Sequence, residues 1–284
     1  MKNFITRAVS GVIFVAIMVF GLAFNAMAMM FLFSIITGMT VWEYTGLVNE
    51  RKGVSVNRFI TTAAGVYLFL AVAGFCSGVT PPTVFIPYLL TIVYLFISEL
   101  YLKQEDPIND WAYTMLSQMY IALPFATINM LAFKSSADDG TVYFDRILPL
   151  AVFVFLWLND TGAYCFGSLL GRHKLFPRIS PGKSWEGSIG GALLVMAVAG
   201  VAGAYLGKNY DGVLSTVPEW IGLALVVVVF GTWGDLVESL FKRTLGIKDS
   251  GNVLPGHGGM LDRFDSSLMA IPAAVIYIYT LTMI

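Results

Sequence analysis

The chain has 284 residues, 57% of them hydrophobic and only 12% charged, with a mean hydropathy of +0.76 and a formal net charge of −1. A soluble domain carries about 25% charged residues, so this composition excludes an ordinary globular domain and indicates a polytopic membrane protein. The two cysteines, Cys76 and Cys165, each lie in an apolar stretch, which excludes a disulfide framework or a Cys-x-x-Cys metal site.

The first element is an apolar run in MKNFITRAVSGVIFVAIMVFGLAF. It resembles a signal peptide, but no small-residue cleavage site separates it from the next run, so a retained first span is expected. A bilayer crossing needs about 20 mostly apolar residues, and nine segments qualify. They cover residues 8–24, 26–47, 59–78, 84–102, 111–133, 146–170, 186–206, 217–240 and 266–284. Asn25 marks a turn between the first two, and Pro124 a tolerated kink in the fifth. The expected fold is therefore an all-α integral membrane protein with about nine transmembrane helices. It reads as one integral unit, with five N-terminal spans in 1–140 and the remaining helices, carrying a cytoplasm-facing site, in 141–284.

Cationic loops set the orientation. With the N-terminus cytoplasmic and the spans alternating, the cytoplasmic side holds every lysine and arginine except Lys134, Arg146 and Lys208. The C-terminus is then outside. The connections 172–187, RHKLFPRISPGKSWEG, and 239–265, SLFKRTLGIKDSGNVLPGHGGMLDRFD, face the cytoplasm together.

Ionisable groups within spans are costly and by default mark a pathway or a site. Asp160 interrupts LPLAVFVFLWLNDTGAYCFG, beside Asn159 and Thr161. It lies about 16 Å below the basic loop beginning near Arg172, out of reach of bulk water without a polar cavity. An interhelical hydrogen bond is the simpler alternative. Asp235, Glu238, Ser239 and Lys242 share one helical face; a local Asp–Lys ladder explains Glu238 and Lys242 better than the deeper Asp235. Asp262 and Asp265 sit a turn apart at the start of the last span, where capping accounts for one of them.

The stretch LPGHGGMLDRFD has the composition of a phosphate site. Gly256, Gly258 and Gly259 permit a nest of backbone N–H groups for an anion, and a helix starting just after them adds its positive end. Lys242, Arg243, Lys248 and Arg263 supply charge-assisted donors. Asp235, Asp249, Asp262 and Asp265 can hold Mg²⁺, which bridges carboxylates to substrate phosphates. In SPGKSWEG, Pro181 and Gly182 form a turn and Lys183 and Ser184 offer further donors, although an ordinary helix start explains the stretch equally well and the spacing is not that of a P-loop. His257 suits phosphate or loop positioning better than acid–base work. His173 reads as a solvated or headgroup-facing residue.

This pattern resembles the signature of the phosphatidate cytidylyltransferases, the CDP-diacylglycerol synthases. It is S-x-x-K-R, then K-D-x-G, L-P-x-H-G-G and D-R-F-D, carried here by Ser239, Lys242, Arg243, Lys248, Asp249, Gly251, Leu254, Pro255, His257, Gly258, Gly259, Asp262, Arg263, Phe264 and Asp265. NDTGAYCFG, SPGKSWEG and GDLVES also look like the family, whereas the first five spans match only as generic helices and contribute no site residues. The resemblance implies transfer of CMP from CTP to phosphatidic acid, Mg²⁺ dependence with room for a second cation, and a bacterial-type inner membrane. It assigns catalysis to Asp235, Lys242, Asp262 and Asp265. Substrate binding falls to Lys183, Ser184, Ser239, Arg243, Lys248, His257, Gly258, Gly259 and Arg263. The metal set is Asp235, Asp262 and Asp265, with Asp249 either a ligand or the orienter of Lys248, and Asp160 is a further buried carboxylate of the site. The expected partners are CTP, phosphatidic acid and membrane lipid, with no nucleic acid; a homodimer is compatible with the family, although no segment declares an interface. A CTP-dependent lipid-alcohol kinase is the nearest alternative. The D-G-x-x-A-R pattern of CDP-alcohol phosphotransferases is absent, and an ion-coupled transporter explains Asp160 and Asp235 but not the cationic, glycine-rich loop.

Overall fold

A computed structural model describes residues 2–136, 139–207, 213–251, 253 and 258–283, without the side chains of 2–8. The helices are α1 (Lys2–Ala23), α2 (Ala26–Val48), α3 (Arg58–Cys76), α4 (Ile86–Leu102), α5 (Pro107–Ser117), α6 (Leu123–Ala132), α7 (Ile147–Leu170), α8 (Trp185–Leu206), α9 (Val217–Thr244), α10 (Leu261–Phe264) and α11 (Ser267–Met283). Among the described residues eight helical stretches are long and apolar enough to cross a membrane, including Pro82–Leu102, Pro107–Ala132 and Leu261–Met283. In α1 the described apolar part, Val9–Ala23, is shorter. The protein is an all-α multi-pass membrane protein, and each of the nine expected segments is helical.

The chain forms two compact units. One comprises Met1–Pro149 with Thr244–Phe264, the other Leu150–Arg243 with Asp265–Ile284. Residues 244–264 of the signature thus group with the N-terminal helices, and 239–243 and Asp265 with the second unit.

In the first unit Asn25 and Asn57 start α2 and α3 by accepting the N–H groups of Ala28 at 2.8 Å and Ile60 at 3.0 Å. The core is a chain of rings. Phe33 lies 6.3 Å from Phe69 and 6.1 Å from Phe125; Phe264 lies 5.5 Å from Phe125 and 5.8 Å from Phe14. Phe264, the aromatic residue of D-R-F-D, is thus a buried anchor of the loop. The kink expected at Pro124 takes the form of a π-helical turn over Gln118–Ala122, which accommodates the ring and the missing N–H. Gln118 uses that turn to donate to the Thr61 carbonyl at 3.0 Å. A hairpin that the sequence did not suggest, β1 (Phe133–Ser135) with β2 (Val142–Phe144), follows α6, and Lys134 pairs with buried Asp145 at 2.5 Å.

In the second unit α7 and α8 meet through glycines. A Cβ on Gly162 would stand 2.9 Å from the Gly191 Cα, and one on Gly187 would stand 2.7 Å from the Ala163 carbonyl. Small residues of this kind let membrane helices approach closely. A second hairpin, β3 (Lys174–Phe176) with β4 (Ser180–Ser184), precedes α8. Pro181 and Gly182 therefore lie in a strand, where the sequence suggested a turn.

Candidate functional site

In the second unit a cavity of about 430 Å³ opens among α7, β4, α8, α9 and the start of α11. Its polar lining includes Asp160, Lys183, Ser184, Thr232, Asp235 and Ser266. Asp160 is exposed to this space, which is the polar cavity its depth in the helix required. Lys183, delivered by β4, places Nζ 2.6 Å from the Asp235 carboxylate. The other oxygen of Asp235 accepts the Ser239 hydroxyl at 3.2 Å. Ser184 serves the fold instead, since its hydroxyl caps α8 by accepting the Gly187 N–H at 3.2 Å.

Gly234 explains how a third carboxylate comes close. A Cβ there would stand 2.7 Å from the Asp265 carbonyl, so only glycine allows the segment before α11 to lie against α9. Asp265 then feels the negative charges of Asp235 and Asp160, opposed by Lys183. Its side chain also accepts the Ser266 N–H at 2.5 Å. One turn further along α9, Glu238 is fully buried and holds Lys242 at 2.7 Å, the local ladder foreseen in the sequence. Arg243 is exposed and directs Nε toward the Ile179 carbonyl at 3.5 Å. His173 is exposed as expected, with Nδ1 2.5 Å from Glu186.

The loop of the first unit is built around a residue that the sequence did not single out, Glu43 of α2. Its carboxylate accepts the Ser250 hydroxyl at 2.5 Å, the Met260 N–H at 2.8 Å and the Leu261 N–H at 3.0 Å. Gly251 and Gly259 press against the same carboxylate, and a Cβ on Gly251 would lie 2.8 Å from Oε2. Asp262 completes the arrangement: one oxygen accepts the N–H groups of Ser250 and Gly259, each at 2.8 Å. Gly258 supports the turn with φ of +83°.

Of the glycines expected to form a nest for phosphate, Gly256 lies outside the described residues; the N–H groups of Gly259, Met260 and Leu261 point at the carboxylates of Asp262 and Glu43. Asp262 lies in the first turn of α10, and the N–H groups it accepts belong to residues before that helix. Both bonds fall on one oxygen and orient that carboxylate. Lys248, Asp249 and Arg263 are exposed. His257, with Gly256, lies outside the described residues.

Glu43 could have been suspected as a lone carboxylate within the apolar segment TVWEYTGLV. Its partner could not, because Ser250 is 207 positions away.

Asp160 and Asp235 are the carboxylates that line the second-unit cavity. Among the described residues no three His, Cys, Asp or Glu side chains form a metal-binding group. Mg²⁺ commonly takes one or two protein carboxylates and completes its shell with phosphate oxygens and water, which a cavity of this size and polarity accommodates.

A model of a family described as "Cytidylyltransferase family" matches residues 5–281. Over 172 residues the chain is 41% identical to a phosphatidate cytidylyltransferase of Staphylococcus haemolyticus (strain JCSC1435) and 40% identical to those of Staphylococcus aureus (strain COL) and Staphylococcus epidermidis (strain ATCC 12228 / FDA PCI 1200). Each match spans 60% of this chain and 60% of the relative's length.

Proposed function

Because the chain belongs to the cytidylyltransferase family, we propose that it transfers CMP from CTP to phosphatidic acid, giving CDP-diacylglycerol and pyrophosphate. The observation that carries this reading is the cavity where Asp160, Lys183 and Asp235 converge beside Asp265. It offers opposite charges to a metal-bound nucleotide. The names of the staphylococcal relatives support the choice of acceptor.

In the reaction a phosphate oxygen of phosphatidic acid attacks the α-phosphorus of CTP in line. A new P–O bond forms as the bond to the bridging α–β oxygen breaks, and that electron pair leaves with pyrophosphate. The nucleophile is already ionised, so no strong general base is needed. Catalysis rests on positioning and electrostatics. Lys183 transfers its hydrogen bonding from Asp235 to entering phosphate oxygens. Lys242, Arg243, Lys248 and Arg263 are the remaining cations for the triphosphate and the lipid phosphate. When bound, Mg²⁺ would neutralise charge on the reacting phosphates; Asp235, Asp262 and Asp265 are the carboxylates that would hold it, with Asp249 either a further ligand or the orienter of Lys248. Asp160 adds to the negative field that favours a cation. The enzyme works at the cytoplasmic face of an inner membrane, where CTP is found, with the N-terminus inside and the C-terminus outside.

The test is to incubate detergent-purified protein with labelled CTP, phosphatidic acid and Mg²⁺ and to measure lipid-linked CMP and pyrophosphate together. Equal yields of both, abolished by EDTA, are expected. CDP without pyrophosphate would replace this reading with a lipid-alcohol kinase.

A further inference from the structure

The first unit carries two adjoining cavities, of about 610 and 520 Å³, which share Trp42 and Thr62. The lining of the larger includes Arg58 and Glu50 together with Ser250 and Gly251 of the signature loop. The smaller is an apolar groove of Phe59, Ala63, Val66 and Leu70 on one face of α3.

Arg58 is the first residue of α3, a candidate membrane span, and this end position suits headgroup depth. Its guanidinium lies over the Trp42 ring, 4.1 Å from the centroid, and donates through Nη2 to the Trp42 carbonyl at 2.9 Å. Its Nε is buried without an acceptor, and the neighbouring Thr62 hydroxyl also lacks a partner. Among the described residues no carboxylate forms a salt bridge with Arg58. Glu43 faces the same cavity, but its oxygens hold Ser250, Met260 and Leu261. Glu50 is exposed at the rim, where water and salt screen it.

From Arg58 to Leu70 the helix rises about 18 Å, close to the roughly 15 Å depth of one hydrocarbon leaflet. We infer that this groove binds the phosphatidic acid substrate, with the phosphate monoester on the Arg58 guanidinium and an acyl chain along Phe59, Ala63, Val66 and Leu70. The inference rests on the proposed reaction for its choice of lipid. The cavity's wall at Ser250 and Gly251 brings the lipid phosphate to the signature loop.

The test compares Arg58→Gln and Ala63→Trp with wild type in mixed micelles, varying phosphatidic acid and CTP separately. Arg58→Gln is expected to raise KM for dioleoyl phosphatidic acid about tenfold, the loss of a hydrogen bond to a charged group, with KM for CTP unchanged. Ala63→Trp, at an exposed position, should raise KM for the dioleoyl lipid but not for its dihexanoyl analogue. Unchanged lipid KM in both variants would overturn the assignment. So would an equal rise in the CTP KM for Arg58→Gln, or a loss of oligomeric mass for Ala63→Trp, which would give the groove to a second copy of the chain. Photo-crosslinking with a diazirine phosphatidic acid supplies a readout independent of turnover. Labelling on α3, displaced by dioleoyl phosphatidic acid but not by dioleoyl phosphatidylcholine, supports the groove even if CMP transfer is absent. Active wild-type enzyme without such labelling refutes the groove and leaves the reaction standing.

Discussion

In the first unit Glu43 accepts three hydrogen bonds from the signature loop, and Asp262 accepts two more from its backbone. In the second, Asp235 has one lysine and one hydroxyl, and Asp265 lies within the field of two other carboxylates. The residue types are the same, but one set is held by N–H and O–H donors of the loop and the other is gathered around a single lysine. A carboxylate surrounded by N–H groups fixes backbone. A carboxylate gathered with others around one lysine is held against its electrostatic preference, and a cation or a polyphosphate with its metal relieves the imbalance.

The largest effect that separates the two regions is expected from Asp235→Asn. Removing this charge should lower CMP transfer by about 10²–10³-fold, the scale of losing one preorganised electrostatic contact, while thermal unfolding in detergent stays near wild type. Asp262→Asn sharpens the contrast, since an amide oxygen still accepts N–H bonds but carries no charge. A comparable rate loss with an unchanged melting temperature would give Asp262 a role beyond the clasp; retained activity would confine it there.

Gly234→Ala comes next. The added Cβ meets the Asp265 carbonyl at 2.7 Å, so the segment before α11 must shift. Misplacement of about 1 Å near a site can cost roughly 10²-fold in rate, and kcat should fall with little change in the binding of CTP. Glu43→Gln should act through stability. The amide turns an NH₂ toward N–H and O–H donors, and each buried group left unpaired costs about 1–3 kcal/mol. Faster proteolysis within 244–264 and a lower melting temperature are expected, with activity following the fraction of ordered loop. Glu43→Gln with wild-type protease resistance would break the comparison, because the clasp would then not depend on that carboxylate. The smallest effect belongs to Glu186→Gln, where the tie to His173 is exposed. Exposed pairs contribute little, and transfer rates should stay within about twofold of wild type.

The nine apolar segments were legible because the bilayer sets both their length and their composition. The break at Asn25 was legible because a capping side chain has few other uses between two apolar runs. Asp160 and Asp235 stood out because charge is costly at their depth, and the structure gives both the same cavity. The nest around Gly258 and Gly259 was legible as an anion site, but its occupant was not. Backbone N–H groups do not distinguish a substrate phosphate from the carboxylate of a distant helix. The strands β3 and β4 escaped notice because three residues are too few to show alternation and the five of β4 include proline and glycine. Phe264 could be read as part of a signature, yet its packing against Phe125 and Phe14 depends on where α6 and α1 run.

The clasp on Glu43 also sets an order of events during synthesis. Its partner Ser250 follows it by 207 residues, about 10–40 s at roughly 5–20 residues per second. During that interval α2 carries a carboxylate whose hydrogen-bond donors do not yet exist. The loop gains its shape only when α11 begins to emerge, so this part of the signature forms well after the helix on which it closes.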